Sequence, residues 1–252
     1  MQKTDHIVVL QHPNSEIAEC YRTLRATLSR HLSLGKKVIC LVSTWSGDGK
    51  SMVCTNLAVT LTHLHLRVVL VDGDLRLPTI SKVLGAEQAP GFTDFLEKGG
   101  NLEDYLVETV VPNLRLLPRG QSQENPANLL GRERLAEIFN KLRESADCVI
   151  VDTPPMTACS DAVLIGVQTD GVVIVVNPKS WDGDIEVRHK QQLVDHNIPV
   201  LGAVLNGAAE TENRTYGAYN ANQSNRYHYV EPLQASRATT AKSGGFFKRK
   251  KN

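Results

Sequence analysis

Six runs of β-branched and aliphatic residues constrain this chain more than any other feature: Val38 to Val42, Val68 to Val71, Leu114 to Leu117, Val149 to Val151, Val172 to Val176 and Val200 to Leu205. They are continuous rather than alternating, so each reads as a strand buried on both faces. Between them lie segments with apolar residues at helical spacing: Met52 to Leu64, Arg132 to Arg143, Asp161 to Gln168 and Ile185 to Val194. Strand and helix alternate, which predicts an α/β fold whose mostly parallel sheet is flanked by helices on both faces. A further helical stretch, Glu16 to Leu34, precedes the first strand and stops at Gly35, a natural C-terminal end. It leads into the core without having to belong to it.

With 252 residues, 41% of them hydrophobic, the chain can build one substantial core, which excludes disorder throughout. Its formal net charge of +1 gives no reason to expect a nucleic-acid partner. The charge is unevenly placed: from Glu210 onward there are eight basic and three acidic residues, a net of +5, which leaves −4 on the preceding part. The expected organisation is therefore an N-terminal helical region at 1–35, a core at 36–209 and a mobile tail at 210–252, rich in polar residues and ending in Phe246-Phe-Lys-Arg-Lys-Lys-Asn252. No apolar run nears the roughly 18 residues that span a bilayer, and the first residues lack the layout of a signal peptide, so a cytoplasmic protein is expected. The five cysteines are widely spaced with no Cys-x-x-Cys, and read as buried thiols rather than metal ligands or disulfides.

The first strand runs into Ser43-Thr-Trp-Ser-Gly-Asp-Gly-Lys-Ser-Met52, and a helical segment follows at once. Strand, glycine-rich loop and helix form the context in which backbone N–H groups and a helix N-terminus hold phosphate. Gly47 and Gly49 allow close backbone approach, with Asp48 and Met52 beside them. Lys50 would neutralise β- and γ-phosphate oxygens, and the Ser51 hydroxyl would bind Mg²⁺. The usual Gly-x-x-x-x-Gly-Lys-Ser pattern has glycine where this chain has Thr44. Two other strands end in carboxylates, in Asp72-Gly-Asp74-Leu-Arg76 and in Asp152-Thr-Pro-Pro155. In a parallel sheet ligands bind at that edge, where such carboxylates serve a nucleotide-bound Mg²⁺ directly or through water.

Together these motifs resemble the deviant Walker branch of the P-loop NTPases, with Thr44 to Ser51 as Walker A, Asp72-x-Asp74-x-Arg76 as Walker A′ and Asp152-x-x-Pro155 as Walker B. Within it the chain resembles the bacterial protein-tyrosine kinases that regulate capsule and exopolysaccharide synthesis and export. Glu19-x-x-Arg22-x-x-Arg25 is similar to that family's segment associated with ring-like oligomers. Tyr216, Tyr219, Tyr227 and Tyr229 are similar to its C-terminal tyrosine cluster. Read physically, Glu19, Arg22 and Arg25 share one helix face that can pair with a neighbouring subunit, and the tyrosines sit in a polar segment as accessible acceptors. Relatives that position division sites or segregate DNA usually carry an extra loop lysine where this chain has Trp45, and iron–sulfur relatives need a cysteine pair that is missing from it.

The resemblance implies a non-specific protein-tyrosine kinase using ATP and Mg²⁺. Lys50, Asp72 and Asp74 would be catalytic, with Asp72 orienting or deprotonating the incoming tyrosine. Gly47 to Met52 would hold nucleotide, Asn206 is similar to an adenine-contacting position, and Ser51, Asp74 and Asp152 would hold the metal. It further implies ring-like homo-oligomers, the cytoplasmic segment of a membrane adaptor or polysaccharide co-polymerase that recruits the chain to the inner face of the membrane, and a cognate tyrosine phosphatase. The terminal basic residues could add weak attraction to anionic lipid, although a solubilising tail explains them as well. The competing reading is a deviant Walker ATPase acting as a nucleotide-dependent assembly switch or scaffold, without kinase activity.

Overall fold

The computed structural model describes residues 7–208. Seven strands, β1 (Val38–Ser43), β2 (Val68–Asp72), β3 (Val107–Glu108), β4 (Leu114–Leu117), β5 (Cys148–Asp152), β6 (Gly171–Val176) and β7 (Val200–Leu205), form one sheet in the order β3-β4-β2-β5-β1-β6-β7. All neighbouring pairs are parallel except β3 with β4. The two-residue β3 was not foreseen: it is too short to carry a hydrophobic pattern and exists by pairing with β4.

Every residue of β1, β2 and β5 is buried, as expected of continuous apolar runs, whereas the run in β7 is half-exposed because that strand is at the sheet edge. Successive side chains nonetheless point to opposite faces. Val38, Cys40 and Val42 join one core with Val69, Val71, Val149 and Val151, whereas Ile39 and Leu41 join another with Val68, Leu70 and Ile150. The first core is covered by α5 (Phe92–Lys98), α6 (Pro126–Leu130), α7 (Arg134–Ser145), α8 (Asp161–Gly166) and α9 (Gly183–Asp195), through Phe92, Phe95, Phe139, Leu142, Ile165 and Leu193. The second is covered by α1 (Val8–Gln11), α2 (Glu16–Ser33), α3 (Lys50–Thr62) and α4 (Ile80–Val83). Helices thus lie on both faces, as the alternation of patterns implied.

The sequence left open whether the N-terminal helix belongs to the core, and the structure packs it there. Ser15 caps α2 by accepting from the Ala18 amide at 3.2 Å. The helix then buries Ala18, Tyr21 and Leu28 in the same core as Leu57 and Leu61 of α3. Arg25 donates to the Thr60 carbonyl at 3.0 Å, tying α2 to the end of α3. Residue 35 is therefore no boundary between cores, because the apolar stripe of α2 covers one face of the sheet. The tyrosines Tyr216, Tyr219, Tyr227 and Tyr229 and the basic terminal run lie outside the described residues. Among the described residues, no helix is long and apolar enough to cross a membrane.

Candidate functional site

The sheet register brings the candidate residues to one edge. Asp72 at the end of β2 sits beside Asp152 at the end of β5, and β5 lies between β2 and β1, whose last residue Ser43 opens the glycine-rich loop. Gly73, the next residue after β2, donates its N–H to the Asp152 carbonyl at 3.0 Å. A Cβ on Gly73 would stand 2.4 Å from that oxygen, so the two strand ends approach this closely only with glycine there. Helix α3 begins from Gly49 in the left-handed region, φ +87°, and its first intrahelical bond runs from Val53 N–H to the Gly49 carbonyl at 3.0 Å. The amides of Lys50, Ser51 and Met52 therefore start the helix with its positive dipole end, which is a ready-made phosphate cradle.

A cleft of about 270 Å³ opens over that helix end, at the lower edge of ligand-pocket sizes. Gly47 to Met52 line it together with Trp45, Asp74, Leu77, Thr79 and Pro155. The expected phosphate-loop residues and Asp74 are thus together. Asp72, Asp152 and Asn206 are placed differently: none lines the cleft.

Asp152 is fully buried behind Lys50, whose ammonium donates to its Oδ1 at 2.5 Å. Burial, the largest single influence, works against the Lys50 charge, but the Asp152 carboxylate together with Cys54 and Asp74 holds the ammonium above its ordinary range. The other oxygen, Asp152 Oδ2, is buried with no hydrogen-bond partner. An orphaned carboxylate oxygen is costly in a dry site, and it is what a cation or its bound water would satisfy. Among the described residues no cluster of three or more His, Cys, Asp or Glu could hold a metal by itself. A site combining Ser51, Asp74 and Asp152 with phosphate oxygens fits Mg²⁺, which characteristically takes one or two carboxylates plus substrate phosphates.

Asp72 is fully buried, and its Oδ2 accepts from both the amide and the hydroxyl of Ser81, at 2.7 and 2.6 Å. Its Oδ1 is also unpartnered. Burial, with Asp152 alongside, pushes its carboxyl up to about 7. Asp74 is raised too, chiefly by burial, although its Oδ1 accepts from the amides of Leu77 and Arg76 at 2.9 and 3.3 Å. The loop carrying Asp74 is anchored by Arg76, whose guanidinium grips Asp161 of α8 through Nε at 2.9 Å and Nη2 at 3.2 Å.

Asn206 approaches the glycine-rich loop from behind, donating to the Asp48 carbonyl at 2.8 Å. Asp48 is itself fastened by the Ser180 hydroxyl at 2.5 Å and accepts from the Trp45 amide at 2.9 Å. Glu19 and Arg22 pair with each other at 2.7 Å on α2. Sequence reasoning missed Asp161 and Ser180 because their partners lie 85 and 132 residues away, and Ser81, nine residues beyond Asp72, because its own surroundings carry no motif. Of the five cysteines, all free, Cys40, Cys54 and Cys148 are buried, Cys159 is half-buried and Cys20 is exposed.

Comparison with known proteins agrees with this geometry. Residues 35–228 match the ParA family model, described as "NUBPL iron-transfer P-loop NTPase". The chain is 30% identical over 215 residues to tyrosine-protein kinase YwqD of Bacillus subtilis (strain 168), an alignment covering 85% of this chain and 91% of that kinase. It is 31% identical over 221 residues to tyrosine-protein kinase wzc of Salmonella typhi, covering 86% of this chain but only 31% of that much longer protein. Among solved structures, the chimerical protein CapA2B2 superposes with a TM-score of 0.74 at 29% identity, over 81% of this chain and 91% of that one. The sheet edge, the glycine-rich loop and these likenesses agree: the chain belongs to the ParA-type P-loop NTPases and, within them, to the bacterial tyrosine-protein kinase family.

Proposed function

We propose that the protein is an ATP-dependent tyrosine autokinase that transfers the γ-phosphoryl group of ATP to Tyr216, Tyr219, Tyr227 and Tyr229 of neighbouring copies, and so regulates capsule or exopolysaccharide synthesis and export. The observation that carries this reading is the meeting of a phosphate-cradling helix end, Lys50 and three carboxylates at one sheet edge, in a chain related to tyrosine kinases along most of its length. The assembly-switch reading is not favoured by those relatives.

Phosphoryl transfer depends on positioning and charge stabilisation, so the chain's residues need not form covalent intermediates. Lys50 leaves Asp152 and turns its ammonium to the β- and γ-phosphate oxygens, while the amides of Gly47 to Met52 hold the phosphate chain. Mg²⁺ would supply positive charge that offsets the negative charge of the transferring phosphoryl group. Ser51, Asp74 and Asp152 would hold it, and the unpartnered Asp152 Oδ2 supports that assignment. Asp72 would take the tyrosine proton. A carboxyl raised to about 7 is close to the value at which a general base works best near neutral pH, and its Oδ1 is unpartnered, although Asp72 lies buried behind the cleft rather than lining it. Asn206, whose amide donates to the Asp48 carbonyl, would contact the adenine.

Copies assemble through the α2 face bearing Glu19, Arg22 and Arg25, with tyrosine tails docking in neighbouring sites, and a membrane adaptor recruits the assembly while a tyrosine phosphatase resets it. Each phosphotyrosine adds nearly two negative charges, which releases the tail. Light scattering tests this: phosphorylated protein should be smaller than unphosphorylated protein, and equal masses would contradict it.

A further inference from the structure

Thr44 breaks the usual loop pattern, and its surroundings give the residue a purpose. Its hydroxyl donates to Glu186 Oε2 of α9 at 2.6 Å, with both residues buried. The same oxygen lies 3.2 Å from His189 Nδ1. A hydroxyl has one proton, already given to Glu186, so His189 must donate: the chain runs from the His189 Nδ1–H to Thr44 Oγ1 and on to Glu186. Glu186 and His189 are three residues apart on α9 and therefore face the loop together. Meanwhile the Thr44 carbonyl accepts from the Thr157 hydroxyl at 2.7 Å and the Thr157 amide at 3.3 Å, which joins it to the loop after Asp152.

Thr44 is thus a junction between the phosphate loop, the loop following β5 and α9. Burying the Glu186 carboxylate is expensive, and an apolar side chain would fasten a helix to a loop at lower cost. Its position in the first turn of α9 offsets part of that cost through the helix dipole. Burial holds His189 below its usual range, while the Glu186 charge opposes that shift; the Nδ1–H that the relay uses is present in the imidazolium and in the Nδ1-protonated neutral ring alike.

We propose that Glu186 is a positioning residue for phosphoryl transfer, acting through the Thr44 hydroxyl, with His189 fixing the hydroxyl's direction. The phosphate loop is set by α9 as well as by its own glycines. Ground-state binding of a triphosphate draws on many loop contacts, whereas in-line transfer depends on sub-ångström alignment. Losing the latch therefore lowers kcat more than it raises KM. The inference rests on the kinase reading only for the acceptor: tyrosine labelling and phosphate release are both measured, so a protein that hydrolyses ATP without labelling tyrosine would refute the kinase while still reporting on the latch.

The experiment compares full-length Thr44→Val, Glu186→Ala and their combination with the unaltered protein, recording kcat and KM for Mg·ATP and thermal unfolding. Each single change is expected to lower kcat about tenfold or more, with KM moving less than about threefold. The combination should be no worse than either change alone, since both break one interaction. Thr44→Ser restores most of what Thr44→Val loses, and Glu186→Gln, which keeps an acceptor oxygen, restores most of what Glu186→Ala loses. Unchanged kcat, a loss confined to KM, or losses that multiply in the combination would overturn the proposal. If Glu186→Ala does not fold, Thr44→Val with Thr44→Ser decides by the same criteria.

Discussion

Replacing Asp72 by asparagine tests the electrostatics of the sheet edge. The β2–β5 register puts Asp72 beside Asp152, and burial together with that neighbour raises its carboxyl from 3.8 to about 7. A carboxyl that binds its proton more tightly in the folded state contributes stability that is fully present below the unfolded value and lost as pH rises through the folded one. Each pH unit in between costs about 1.4 kcal/mol. From pH 5 to just above 7, the native protein should therefore lose about 2 to 3 kcal/mol relative to Asp72→Asn, and then level off. Asparagine keeps an acceptor for Ser81 and removes the charge, so the difference isolates the ionisation. The assay is urea unfolding of both proteins from pH 5 to 8, without nucleotide or Mg²⁺. A difference that stays flat within ~0.5 kcal/mol, or that grows in favour of the native protein as pH rises, would refute the reasoning.

Asp74 lines the cleft within reach of the phosphate loop, so Asp74→Asn should raise the Mg²⁺ concentration for half-maximal turnover by at least the ~10-fold typical of losing a second-shell group. An unchanged Mg²⁺ dependence would remove Asp74 from the metal site. Phe139 is fully buried and packs edge-on against Phe92, with ring centroids 6.1 Å apart. Phe139→Ala should cost about 3 to 5 kcal/mol in denaturant unfolding, and a loss under ~1 kcal/mol would mean that the core beneath α7 collapses into the space.

Much of the fold was legible because it is written in local pattern. The continuous apolar runs of β1, β2 and β5 are long enough to identify, and the glycine-rich loop announces the start of α3. The short elements were not legible: α1, α4 and α6 have four or five residues each, too few for a helical period, and form because the sheet needs covering. Whether α2 belongs to the core was left open because spacing shows that a helix has an apolar stripe without showing what the stripe meets. At the site, the motifs located the phosphate loop and the three carboxylates correctly at one edge. They did not separate Asp74, in the cleft, from Asp72 and Asp152, buried behind it, because that distinction depends on which way the chain turns after each strand. The contacts of Thr44 with Glu186 and of Asp48 with Ser180 cross 142 and 132 residues, and nothing in either local sequence marks them.

The central claim is tyrosine transfer from a Lys50-dependent site. The most direct measurement is incubation of the purified full chain with Mg·ATP, beside Lys50→Met, followed by phosphotyrosine detection and mass-spectrometric mapping. The account predicts label on Tyr216, Tyr219, Tyr227 and Tyr229 that disappears with Lys50→Met. Release of phosphate from ATP with no tyrosine labelled, in the presence of a candidate adaptor segment as well as alone, would contradict it.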